Sequence, residues 1–151
     1  MESALKQKLV TACSKYVEER ISRVDLAVKD LEAALKLETK CSMGDKYETG
    51  RAMLHLEFEK LAGQHEELRK LRKTLSMIHP AQTAQQAGFG AIIKTNAGSY
   101  FISIPAGELM VEKEKYYAVG TNAPIARALS GKKEGEAVTF NGKELLIGQI
   151  I

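Results

Sequence analysis

The chain has 151 residues, 44% of them apolar and 27% charged, with a net charge of +3 at pH 7. That length suits one ordinary domain or two small ones, and the composition is that of a soluble, folded protein. A positive excess this small, divided evenly between the two halves, argues against a general nucleic-acid binder with a concentrated basic face; no run approaches the ~18 apolar residues of a membrane span.

The first twenty residues, MESALKQKLVTACSKYVEER, hold no apolar core of the kind a secretory signal needs. Cys13 and Cys41 are too far apart for a C-x-x-C motif and too few for a disulfide framework. A reducing, cytoplasmic setting is the expectation.

From residue 2 to about 78 there is no proline, and apolar side chains recur at helical spacing. Val10, Cys13, Val17, Ile21, Val24, Val28, Leu31 and Leu35 form one stripe; Leu54, Phe58, Leu61, His65, Leu68, Leu71, Leu75 and Ile78 form another. Steps of three and four predict two long helices, each with one buried seam. The stripes mirror each other. Leu35 matches Leu54, Leu31 matches Phe58, Val28 matches Leu61, Val24 matches His65 and Ile21 matches Leu68, with residue numbers of constant sum. That arithmetic predicts an antiparallel coiled-coil hairpin over residues 1–78, folded between Gly44 and Asp45, with its tip near 42–48. Each helix, at roughly 35 residues and about 1.5 Å per residue, is about 50 Å long. His65 reads as a half-buried seam histidine with a local partner. Gly63 should cost its helix about 1 kcal/mol relative to alanine, and nothing in the sequence explains it.

The tip, KCSMGDKYETG, carries Asp45 and Glu48 in D-x-x-E spacing. Two readings compete on spacing alone. Ser42 and the two acids can cap the second helix and offset its dipole. Alternatively, the two carboxylates can share a hard divalent cation such as Mg²⁺, whose remaining oxygen ligands would come from a partner. Near the end of the second helix, LRKLRK (68–73) reads chiefly as a solvated face suited to the dipole. Arg51, Arg69 and Lys70 are the candidates for phosphate contact.

Pro80 ends the helix, and HPAQTAQQAGFG (79–90) has no periodicity, which predicts a linker. Over 91–151 six short β-branched or aromatic runs, AIIKT, SYFISI, GELMVE, KYYAV, EAVTF and KELLIGQII, lie between turn signals. Asn141-Gly142 predicts a two-residue type I′ hairpin. TNAPIARALS (121–130) is the one helical candidate, with Asn122 as N-cap, Pro124 in the first turn and Gly131 past the end. The fold class is therefore α+β: a helical hairpin followed by a small, mostly antiparallel β domain crossed by one short helix. No H-E-x-x-H, phosphate loop or nucleophile-and-base arrangement is present in the sequence.

NAPIARALSGKKEGEAVTFNGKE resembles the signature of the GreA/GreB family of bacterial transcript cleavage factors, S-P-[IL]-G-[RK]-A-L-[LM]-G-K-x-x-G-[DE]-x-V. Pro124, Ile125, Arg127, Ala128, Leu129, Gly131, Lys132, Gly135, Glu136 and Val138 match it. Gly44, Asp45 and Glu48 stand in the frame of the family's acidic tip, G-D-x-x-E. The resemblance implies an FKBP-like β domain that docks on the rim of the RNA polymerase secondary channel, with Pro124, Ile125, Arg127, Leu129 and Lys132 as docking candidates. It also implies that the coiled coil enters the channel, where Asp45 and Glu48 help hold a Mg²⁺ shared with the polymerase. Backtracked nascent RNA is then cut by the polymerase itself, so the factor is no enzyme alone and needs neither membrane nor small-molecule substrate. The chain departs from the family at Ala126 for Gly, at Ala123 for Ser, and at Thr49-Gly50-Arg51-Ala52-Met53-Leu54 after the acids. Those departures keep in view a channel-binding regulator without cleavage stimulation. Outside the family the rivals are an FKBP-like isomerase or chaperone with a helical arm, and an adaptor whose hairpin only binds a partner. Against the isomerase stand the few aromatics of the β domain, Phe89, Tyr100, Phe101, Tyr116, Tyr117 and Phe140, with no tryptophan to floor a proline pocket.

Overall fold

The computed structural model describes the backbone of residues 2–40 and 44–151 and the side chains of residues 4–37 and 50–151. The elements are α1 (Glu2–Lys40), α2 (Gly44–Ser76), β1 (Ile92–Thr95), β2 (Gly98–Ser103), β3 (Gly107–Val111), β4 (Glu114–Gly120), α3 (Pro124–Leu129), β5 (Ala137–Phe140) and β6 (Lys143–Ile150). The fold is thus α+β, a long N-terminal helical hairpin followed by a six-stranded, mostly antiparallel sheet. The chain forms two compact units, one of Val17–Lys70 and one of Met1–Tyr16 with Leu71–Ile151.

Within the helical unit every predicted seam residue is buried or half-buried: Val17, Ile21 and Val24 are buried, and Leu54, Phe58, Leu61, His65 and Leu68 are half-buried. Leu26, Leu37, Met53 and Leu56 stand off the stripe and are exposed, as the 3.6-residue period requires. His65 Nε2 lies 3.5 Å from Asp25 Oδ1, one residue from its predicted match, so the antiparallel register holds. An open groove of about 710 Å³ runs along Arg20, Arg23, Val24, Gly63, Gln64, Glu67 and Leu68. A Cβ on Gly63 would meet no atom within 4 Å, so no close approach demands glycine there.

In the other unit the strand order is β3-β4-β2-β1-β6-β5. All six predicted strands are present. Neighbours are antiparallel except β2 and β4, which run parallel from Ser99↔Tyr116 to Ser103↔Gly120. Both faces of the central strands are buried. Ile93 and Ile102 join Ile125, Ala126, Leu129, Val138, Leu145 and Ile147 in one core. Ile92, Phe101, Ser103 and Tyr116 alternate onto the opposite face. There α1 supplies cover, since Cys13 Sγ lies 3.9 Å from Ser103 Oγ. Burial pushes the Cys13 thiol up to about 11, against a lesser opposing effect of the Ser103 hydrogen bond. The stability this lends is complete below the ordinary thiol range and is lost as pH rises toward that value.

Three details differ from the sequence reading. The residue preceding α3 is Ala123, with φ −63° and ψ 142° and no side-chain cap bond, so Asn122 is not the N-cap; Pro124 supplies the helix start through its preset φ. The expected linker is fastened to the sheet unit by main-chain bonds, Ala87 N–H to Lys132 O at 2.8 Å, Gly131 N–H to Ala87 O at 2.9 Å and Gly90 N–H to Ile102 O at 2.7 Å. Bonds of this kind leave no periodicity in a sequence. The β3–β4 hairpin turns at Glu112 (φ 53°) and Lys113 (φ 66°), left-handed at both positions without Gly or Asn, whereas Asn141 and Gly142 meet the same demand conventionally. Glu112 pairs with Lys8 of α1, and that hydrogen bond, then the lysine's charge, hold its carboxyl below the usual range.

Replacing Gly63 by alanine should stabilise the helical unit by about 1 kcal/mol, read as a rise of about 2–4 °C in thermal midpoint. An unchanged or lowered midpoint would show that the glycine serves a contact in the folded protein.

Candidate functional site

Helix α2 opens with Gly44 and Asp45, and Glu48 follows one turn on, while residues 41–43 lie outside the described residues. The two acids occupy helical positions three residues apart, whose side chains lie outside the described residues, as do Ser42 and Cys41. The backbone therefore places both acids at the head of a helix, where negative charge is favourable. Among the described residues, no three of His, Cys, Asp and Glu converge to hold a metal.

Two of the basic candidates are balanced locally. Arg69 Nη1 is 3.5 Å from Glu66 Oε2, and Lys70 Nζ is 3.3 Å from Glu67 Oε1. Such exposed pairs one turn apart are worth a few tenths of a kcal/mol, so an incoming phosphate would need to displace a glutamate only weakly held. Arg51 is half-buried.

The signature run divides by burial. Leu129 is 0% exposed and Ile125 8%, and with Ala126 they pin α3 to the sheet. These two docking candidates hold the helix in place; neither offers its side chain to a partner. Pro124 and Arg127 are exposed and Lys132 half-buried, so they form the part of the run that a docking protein can touch. Ala126, in place of the signature glycine, packs into the core at 3% exposure, so the extra methyl is accommodated.

Sequence reasoning passed over two polar side chains that the fold buries, Lys6 and Ser103. Lys6 did carry a signal: Lys6, Leu9 and Cys13 step by three and four, in phase with the buried stripe. Four of the aromatics of the β domain are committed to packing. Phe101 and Tyr116 are buried in the sheet, and Tyr100 and Tyr117 pack on each other with centroids 5.9 Å apart.

No family model matches the chain, and no curated protein matches it. Solved structures that align with it include the crystal structure of GreA factor homolog 1 (Gfh1) protein of Thermus thermophilus, at 14% identity and TM-score 0.34, covering 91% of this chain and 93% of that one. A second, described as the structure of the transcription factor Gfh1, aligns at 15% identity and TM-score 0.34, over 89% and 92% of the two chains. Values this low leave the functional reading to the residues of the chain itself.

Leu129→Ala should cost about 2–5 kcal/mol of stability by leaving a cavity, whereas Arg127→Ala should stay within about 0.5 kcal/mol. Denaturant titration of both variants checks the division; equal effects would contradict it.

Proposed function

We propose that this protein is a transcription elongation factor that binds bacterial RNA polymerase, carries its helical hairpin into the secondary channel and stimulates cleavage of backtracked RNA. The observation that supports this reading is the position of the G-D-x-x-E frame, Gly44 to Glu48, at the very start of α2, the second of two long helices. The docking surface is the accessible part of the signature run, the exposed Pro124 and Arg127 with the half-buried Lys132.

The donor chemistry fits a shared cation and not a free-standing one. Two carboxylates are hard oxygen ligands suited to Mg²⁺, yet they fill only part of an octahedral shell. Asp45 and Glu48 would hold the ion on one side, and polymerase carboxylates and water would complete it. An ion held there would supply the positive charge that two-metal hydrolysis of an RNA phosphate requires. The chain's own part is to deliver two fixed negative charges at the head of a helix. On this account it is not an enzyme in isolation, nascent RNA is met only inside the complex, and the protein acts in the cytoplasm where polymerase works. Among the described residues no helix is long and apolar enough to cross a membrane.

Stalled, backtracked polymerase complexes given the protein and Mg²⁺ should release short 3′ RNA fragments. Asp45→Asn and Glu48→Gln should bind as the wild type does but cleave at least about 10-fold more slowly, because loss of even an outer-shell partner at a metal site costs about 10- to 100-fold. Wild-type binding without cleavage would make the protein an occupant of the channel only, and no binding would remove polymerase as its partner.

A further inference from the structure

One end strand of the sheet presents an open edge. In the order β3-β4-β2-β1-β6-β5, β3 pairs with β4 alone. The two residues that turn β3 into β4, Glu112 and Lys113, are both left-handed, so Val111 and Glu114 close a two-residue turn as a hydrogen-bonded pair. Bonded and unbonded pairs then alternate along the ladder. Gly107, Leu109 and Val111 therefore direct their main-chain groups at β4, whereas Glu108 and Met110 turn theirs outward. Among the described residues no further main-chain bond meets those outward groups.

An exposed strand edge is a template for another strand, and folded proteins usually blunt it with proline, lysine or a bulge. β3 has none of the three. Its residues, Gly107 to Val111, run in unbroken register with β4, and Met110 is 63% exposed. The strand's one charge, Glu108, is already matched by Lys115 at 3.3 Å.

We propose that this edge is a self-association site, at which β3 pairs antiparallel with β3 of a second copy of the chain and joins the two sheets into one. Charge chooses the register. Outward groups must face outward groups, and the two-fold pairings that keep most of the strand paired are centred on Glu108, Leu109 or Met110. Centring on Glu108 sets that carboxylate against its own copy, and centring on Met110 sets it against Glu112, so like charges oppose both. Centring on Leu109 avoids them. It overlaps the whole strand, with Glu108 and Met110 each opposite the other in the second copy as hydrogen-bonded pairs. The two Leu109 side chains meet at the axis, where unbonded pairs approach closest, and Val111 lies against Gly107. Five residues a side are far fewer than the roughly 20–30 of a standard interface, so the dimer is weak and grows with protein concentration. The proposal is independent of the polymerase reading.

The test is sedimentation velocity of the full chain from micromolar to millimolar concentration, with amide hydrogen exchange of β3 read at both ends of the range. The mass should rise from one chain toward two. The Glu108 and Met110 amides should gain protection several-fold with concentration, while the Leu109 amide, bonded to β4, stays protected throughout. Met110→Pro removes an outward N–H that β4 does not use, and should abolish the dimer with the β4 amides still protected. Met110→Lys meets Glu108 of the second copy with opposite charge, and should associate several-fold more tightly than Met110→Glu, which meets it with like charge. A single-chain mass at every concentration, or a dimer untouched by Met110→Pro, would overturn the site. Equal association of the two charged variants would overturn the register. Protection of the Glu108 and Met110 amides gained only on addition of RNA polymerase would assign the edge to that protein and overturn the second copy as its occupant.

Discussion

A pair of helices with one apolar stripe each has only one way to hide both stripes, and the rest of the molecule follows from that constraint. The seam in α1 and its mirror in α2 can close only in antiparallel register, because the intervening residues are too few for a parallel return. Closure determines where the chain reverses, and the reversal determines which residues begin α2. Gly44, Asp45 and Glu48 stand there because Val24 faces the region of His65, as the His65–Asp25 contact records. The seam is modest in strength. Most of its α2 members are only half-buried, so a slip in register would cost little per residue and would be resisted mainly by the whole stripe acting together.

The same helix α1 does a second job at its other end. Lys6 to Gln82 O, Lys8 to Glu112 and Cys13 to Ser103 tie its first turns to three separate parts of the sheet unit. The pairs differ in kind. The first buries a charge beside a carbonyl, the second sets a surface ion pair on a turn whose two residues are both left-handed, and the third is apolar packing with a weak thiol contact. A turn built on Glu112 and Lys113 costs more than one built on Asn and Gly. The Lys8 contact compensates in part by giving Glu112 a partner, so the non-glycine residue is retained where a glycine would have no side chain to offer.

Much of this was legible in the sequence, for reasons that differ by element. The seams were readable because burial of one helix face imposes a 3.6-residue period, and the six strands because their β-branched and aromatic runs lie between turn signals. The Asn141-Gly142 turn was readable because its backbone demands particular residues. The Glu112-Lys113 turn was not, since its residues satisfy the demand against preference and with help from α1. Ala87 and its neighbours looked like a free linker because main-chain hydrogen bonds are blind to side-chain identity. Ile125 and Leu129 matched a family signature, but a motif match does not separate residues that touch a partner from residues that hold the motif in shape. Lys6 was overlooked because a lysine in phase with a buried stripe is normally assigned to the surface.

The central claim is that closing the seam delivers the head of α2 to the polymerase active centre. Replacing the catalytic Mg²⁺ of a backtracked complex by Fe²⁺ and generating hydroxyl radicals there maps which part of the bound protein lies nearest the metal. The account predicts backbone cuts confined to residues about the chain reversal, on either side of Asp45 and Glu48. Cuts within the sheet unit, or a bound protein left uncut, would contradict it.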